Sequence, residues 1–125
     1  MRAILALGIS FVLLGGSAHA ADMSVSFEWG PTKKCFDPKS PPFKLASVPA
    51  ETKTLEFRMV DMNALAYNHG GGKLPYNGQA AVPYGAFRYQ GPCPPSGSHT
   101  YSWTVKALDA KGKVLATAKA RKMFP

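Results

Sequence analysis

Acidic residues are scarce in this chain, with seven Asp and Glu against fifteen Lys and Arg, and so are cysteines, of which there are two. Beyond residues 1–20 there is no apolar run of membrane-spanning length, so no transmembrane segment is expected. No stretch after the first twenty residues keeps helical periodicity over ten positions, and there is no heptad pattern or internal repeat. That leaves an all-β architecture, an antiparallel β-sandwich with little helix. The spacings that hold metals (H-x-H, H-x3-H, CxxC) are missing, and no metal is expected. HGGG at 69–72 looks like an esterase oxyanion loop but has no G-x-S-x-G nucleophile turn to serve, and no GxxxxGK[ST] phosphate loop occurs. Without a nucleophile, metal or cofactor motif, the chain reads as a non-enzymatic protein with no cofactor. Basic runs interleaved with aromatics are also absent, which argues against nucleic acid as a partner.

The first twenty residues, MRAILALGISFVLLGGSAHA, have one positive charge, an apolar run from Ala3 to Leu14, and small residues ending in Ala18-His19-Ala20. This is the pattern of a secretory signal peptide cleaved after Ala20. No cysteine lies near Ala21, so no lipid-anchored end is expected. The expected location is a bacterial periplasm or outside the cell. Residues 21–125 are enough for one domain around one core. Losing Arg2 with the leader leaves fourteen basic against seven acidic side chains, a formal charge of +7. That balance favours a small anion, a lipid headgroup or an envelope polymer as partner, or simply a basic soluble surface. In an oxidising compartment Cys35 and Cys93 are expected to pair, tying together the loops CFDPKSPPF and GPCPP; two separate buried thiols are the alternative.

Alternation locates the strands. Met23, Val25, Phe27 and Trp29 alternate with Ser24, Ser26 and Glu28. Residues 30–53 contain five prolines and read as ordered loop. In the second strand, 54–61, Leu55, Phe57 and Met59 face one way, and parity puts Asp61 on that same apolar side. Residues 62–83, rich in Gly and Asn, read as loop with at most a short strand. Further strands are expected at 84–89, at 99–108 and, after the AKGK turn, at 114–120.

The segment YQGPCPPSGSHTYSW, 89–103, leads a proline-stiffened loop into a strand whose His99, Tyr101, Trp103 and Val105 share a face. Trp103 and Val105 call for a core, so His99 belongs at its rim. Asp61 and His99 are therefore two polar groups delivered to the edge of one core. A carboxylate beside an imidazole forms either a small anion-binding or acid/base site, or a structural hydrogen bond. His69 lies in a glycine loop where spacing does not say which way it points. The loop glycines fit a tight turn or a close backbone approach. Tyr84, Tyr89, Tyr101 and Trp103 line either a pocket or the core.

The block Y-Q-G-P-C-P-P-S-G-S-H-T-Y, with WTVKALD after it, resembles the signature of the phosphatidylethanolamine-binding protein (PEBP) family, also called Raf kinase inhibitor-like proteins. SPPFKLASVPAETKTLEF is similar to the family's SPPL-x-W-x-x-VP-x-x-TKSL segment, MVDMNA stands where the family has D-P-D-A-P, and GKVLATAKA resembles G-H-V-L-A-x-A. The resemblance implies a β-sandwich with a small pocket for phosphate or a phospholipid headgroup. By this likeness Asp61 matches the first acid of D-P-D-A-P, and Gly91, Pro92, His99 and Tyr101 match the pocket's G-P…H-x-Y segment. His69 matches the histidine after the acidic motif, at a shorter spacing. The chain departs from the pattern at Met62 and Asn63, which replace a Pro and the second Asp, at HGGG, which lacks the pocket tryptophan, and at Lys113, which replaces a His. The helical insertion after ALD and the C-terminal helix are missing, so the chain resembles a reduced member. The function this reading implies is a non-enzymatic periplasmic binding protein for a small anion or phosphorylated headgroup. The alternative is an envelope interaction or inhibitor module that binds a protein partner, with a vestigial pocket.

Overall fold

The computed structural model describes residues 22–125; the expected signal peptide, 1–20, lies outside the described residues. Seven strands follow in chain order: β1 Ser24–Phe27, β2 Phe43–Ala46, β3 Thr54–Asp61, β4 Gly71–Pro75, β5 Ala81–Val82, β6 His99–Leu108 and β7 Val114–Phe124. They form a three-stranded sheet in the order β1-β2-β5 and a four-stranded sheet in the order β4-β3-β6-β7, with every pairing antiparallel. No helix occurs among the described residues.

The core follows from the alternation. In β3 the residues Leu55, Phe57 and Met59 are buried, with Asp61 buried after them on the same side. In β6 Tyr101, Trp103, Val105 and Ala107 are buried on the core face, and Ser102 and Leu108 are buried as well. Val25, Phe27, Phe43, Leu45 and Val82 cover these from the smaller sheet. Phe43 is the junction, with its ring 4.8 Å from Phe57 and 5.2 Å edge-on from Trp103. Truncating a fully buried aromatic such as Trp103 to alanine costs about 3–5 kcal/mol. Where β1 runs beside β7, the Trp29 indole N–H donates to the Met123 carbonyl at 2.6 Å and Lys122 pairs with Glu28 at 3.3 Å.

The strand expected at 84–89 does not form. Pro83 and Gly85, the latter at φ 78, turn the chain, and the only bridge is Lys39 to Arg88. Phe87 and Tyr89 are buried as the alternation requires, but their neighbour is the loop carrying Pro38 and Pro41. Proline has no N–H to donate, so the two segments share a few bonds rather than a ladder: Ser40 N–H to Phe87 carbonyl at 3.0 Å, Tyr89 N–H to Pro38 carbonyl at 3.0 Å, and Phe87 N–H to Ser40 Oγ at 3.1 Å. Conversely, β2, β4 and β5 form inside segments read as loop. β2 sits between the prolines at 41, 42 and 49, which mask its short alternation, and β5 is two residues, too short for a period to register. β4 begins with glycines that carry no pattern.

Candidate functional site

The pairing register brings the two rim residues together. Antiparallel pairing places Asp61, the last residue of β3, directly across from Tyr101 near the start of β6. His99, two residues earlier on β6, lies diagonally across from Asp61 on the same face, within reach of a side chain. Its Nδ1 and Asp61 Oδ2 are 2.7 Å apart. The other carboxylate oxygen, Oδ1, accepts the Asn63 N–H at 2.9 Å. Asn63 Oδ1 accepts the Thr100 N–H at 2.8 Å, and Met62 N–H donates to the Thr100 carbonyl at 2.8 Å, so the turn after β3 is clasped to the start of β6.

Asp61 is 4% exposed. Burial pushes its carboxyl up, but the hydrogen bonds from His99 and Asn63 N–H, with the fields of His99 and His69, outweigh burial and hold it below its ordinary value. An ionised carboxylate only accepts, so Nδ1 of His99 carries the proton, and Nε2 is left as the nitrogen with capacity for another partner. The His99 side chain is 18% exposed.

Tyr101 sits between the two histidines. Its ring is 6.4 Å from that of His99, roughly stacked, and 5.5 Å edge-on from that of His69. Burial first, then the nearby Asp61 charge, pushes its phenol up to about 12. His69 itself is buried; its Nδ1–H donates to the Gln90 carbonyl at 2.6 Å, and Gln90 N–H returns a bond to the His69 carbonyl at 2.9 Å. These two bonds join the HGGG and YQGP loops. The glycines of HGGG serve different ends: Gly70 takes a left-handed turn at φ 72, a Cβ on Gly71 would collide with the Phe57 carbonyl, and one on Gly72 would meet the Phe87 ring.

Gly91 and Pro92 are buried, packed against the proline-rich loop that carries Phe36 and Asp37. A Cβ on Gly91 would run into the Asp37 backbone, and the Pro92 carbonyl accepts the Phe36 N–H at 3.3 Å. Cys35 and Cys93 form the expected disulfide, which locks these two loops together. A groove of about 580 Å³, lined in part by Phe36, Asn68, His69, Arg88 and Gln90, opens beside them, and its lining includes neither Asp61 nor His99.

No family model matches the chain, and comparison with curated proteins finds no match. Solved structures do match. A PEBP homologue from Chlamydia trachomatis, CT736, is 18% identical with a TM-score of 0.64 over 83% of this chain and 97% of its own. YbcL from E. coli, described as a member of the mammalian PEBP family, is 17% identical with a TM-score of 0.63 over 83% of this chain and 98% of its own. The fold is that of the phosphatidylethanolamine-binding proteins.

Within this PEBP fold, sequence reasoning located Asp61 and His99 and missed a second buried carboxylate. Asp37 is 4% exposed, with Oδ2 accepting the Tyr84 hydroxyl at 2.6 Å and Oδ1 the Lys39 N–H at 3.0 Å. It lies among prolines, where no periodicity exists to give it a direction. The available signal was the D-P-K triplet, since Asp favours bonding the N–H two residues on. Arg88, on the groove beside His69, was missed as well; the strand expected at 84–89 would only have turned it away from Phe87 and Tyr89.

Proposed function

We propose that the chain is a reduced member of the PEBP family and a non-enzymatic binding protein, exported to a bacterial periplasm or beyond, that takes a small anion or a phosphorylated headgroup at the Asp61–His99 pair. The observation that carries the reading is the 2.7 Å hydrogen bond between a buried carboxylate and a partly exposed imidazole. Asp61 fixes the ring's orientation through Nδ1–H and leaves Nε2 facing outward; a protonated Nε2 donates to an anionic oxygen in a charge-assisted bond. Tyr101 supports both histidine rings from inside the wall, and His69 faces the adjoining groove. Binding of this kind needs no bond-breaking step. Calorimetry with phosphate, phosphoethanolamine and acetate on the wild type and His99→Ala tests it. Loss of heat in the variant is expected, and equal heats in both proteins would sink the reading.

A second reading, docking to an envelope protein, is favoured by the outer face of the large sheet. The register sets Arg58, Thr104 and Lys119 in one row, Val60, Ser102 and Arg121 in the next, and Lys73, Glu56 and Lys106 in a third. Glu56 is the one carboxylate among five cations, paired with Lys73 at 3.7 Å. Capture of a periplasmic protein that releases at high salt and is lost in Arg58→Ala/Lys119→Ala would favour docking; the absence of any salt-sensitive partner dismisses it.

A further inference from the structure

Six large hydrophobic side chains are exposed among the described residues, and four of them, Phe36, Met62, Leu65 and Tyr67, belong to two loops at one end of the sandwich. The other two, Val114 and Met123, lie on β7. One loop is the turn after β3. From Met62 to Gly70 it has no Asp, Glu, Lys or Arg, in a chain that is 18% charged, and Leu65 at 69% is the most exposed of the six. The other loop is held by the disulfide and presents Phe36.

Both loops are braced rather than loose. Ala64 N–H bonds the Asp61 carbonyl at 3.1 Å and Tyr67 N–H bonds the Ala64 carbonyl at 3.0 Å. The two asparagine side chains have partners within the structure: Asn63 Oδ1 accepts from Thr100 N–H at 2.8 Å and Asn68 Oδ1 from Gly70 N–H at 2.9 Å. Phe36 sits at φ 54, a left-handed conformation that is costly for a bulky side chain. There its ring stays 45% exposed, stacked 6.3 Å from Tyr67. Local strain that holds an aromatic ring out to solvent is a mark of a working surface.

The charge around these side chains has one sign. Lys33 and Lys34 share the loop with Phe36, and Arg88 borders the groove that Phe36 lines; none of the three is ion-paired among the described residues. Asp37 and Asp61, the carboxylates of these loops, are both 4% exposed and spend their oxygens on internal bonds. Apolar tips without charge, flanked by free cations, match the surface of an anionic bilayer. Keeping charge out of the exposed loop is what insertion among acyl chains demands, and the unpaired cations at its rim are what anionic headgroups attract.

We propose that the Phe36 and Met62–Tyr67 loops form an interfacial anchor that inserts into the surface of an anionic lipid bilayer. Lys33, Lys34 and Arg88 lie against the headgroups. The anchor places the His69 groove at headgroup level, but it does not require the Asp61–His99 pair to be occupied.

Vesicle co-sedimentation of the full chain tests this, with phosphatidylglycerol–phosphatidylcholine vesicles against phosphatidylcholine alone. Binding is expected to the anionic vesicles, and Leu65→Ser/Phe36→Asn is expected to weaken it at least tenfold; asparagine tolerates the left-handed backbone at 36. An unchanged urea midpoint and unchanged phosphate heats show that the variant is folded and its pocket intact. His99→Ala is expected to bind vesicles within twofold of wild type, so a failed phosphate site and a failed anchor give different results. Absent vesicle binding, equal binding by the double variant, or an equal loss in His99→Ala overturns the proposal. A dimer that dissociates on Leu65→Ser, in a chain that ignores vesicles, also overturns it and assigns the patch to a second copy.

Discussion

Asp37 and Asp61 are built almost alike. Each is 4% exposed, each gives Oδ1 to the backbone N–H two residues on, and each gives Oδ2 to a side-chain donor, Tyr84 at 2.6 Å or His99 at 2.7 Å. For both, burial raises the carboxyl and the bonds and neighbouring positive charge outweigh it, leaving the value below the ordinary one. The donors make the difference. Tyr84 has a single proton, and its bond to Asp37 holds that proton more tightly, raising the phenol. His99 has a second ring nitrogen. Asp37 therefore closes a structural knot between the proline loops, whereas Asp61 orients a group that has a face left over. A buried carboxylate becomes part of a site only through what its partner can still do.

The strongest way to separate the two is to cut the disulfide. Asp37 lies two residues from Cys35, while Asp61 and His99 are held by the β3–β6 register. The closed loop spans 58 residues, and its loss in Cys35→Ser/Cys93→Ser is expected to cost about 4 kcal/mol by the chain-entropy estimate. Urea unfolding measures the loss. In the folded variant the ring signals of Tyr84 should move while those of His99 stay. The reverse pattern would mean that the pair on the strands, not the one in the loops, depends on the cross-link.

What could be read from the sequence follows the same division. In β3 and β6 side-chain direction is dictated by a period of two, so Asp61 and His99 were assigned to one rim from parity alone, and the register confirms that they meet. In the loops that hold Asp37, His69 and Arg88, direction comes from turns, prolines and a disulfide, none of which has a period. The same period points to a strand at 84–89 that does not form: Phe87 and Tyr89 alternate toward the core, yet their neighbour's prolines cannot supply a ladder. Alternation reports burial, and only a partner with free N–H groups turns burial into a sheet.

Next in size are the two amide replacements. Asp37→Asn and Asp61→Asn each weaken charge-assisted bonds at a buried position, and each is expected to lose about 1.5–3 kcal/mol at neutral pH. Both native carboxylates titrate below their ordinary value when folded, so the stability each contributes is fully present above about pH 4 and is lost as pH falls through the folded value. Each variant should accordingly show a shallower acid limb in a plot of unfolding free energy against pH. Only Asp61→Asn should also reduce the heat of phosphate binding. If Asp37→Asn abolished that heat and Asp61→Asn did not, the roles assigned to the two carboxylates would be reversed.

The smallest expected effect is the most selective. The phenols of Tyr84 and Tyr101 are both raised, Tyr101 to about 12. A folded value above the unfolded one near 10 means that the stability tied to Tyr101 is fully present below pH 10 and is lost as pH rises through about 12. At Tyr84 the Asp37 hydrogen bond is the leading cause, and at Tyr101 burial leads with the Asp61 charge behind it. Absorbance titration, with Tyr84→Phe and Tyr101→Phe to assign the steps, should therefore find that Asp37→Asn brings Tyr84 down and leaves Tyr101 in place. Asp61→Asn should lower Tyr101 only in part, because burial, the larger cause, remains. If Asp61→Asn brought Tyr101 back to the ordinary phenol range, the Asp61 charge rather than burial would set its titration, and Tyr101 would have to be counted among the groups that face solvent at the site.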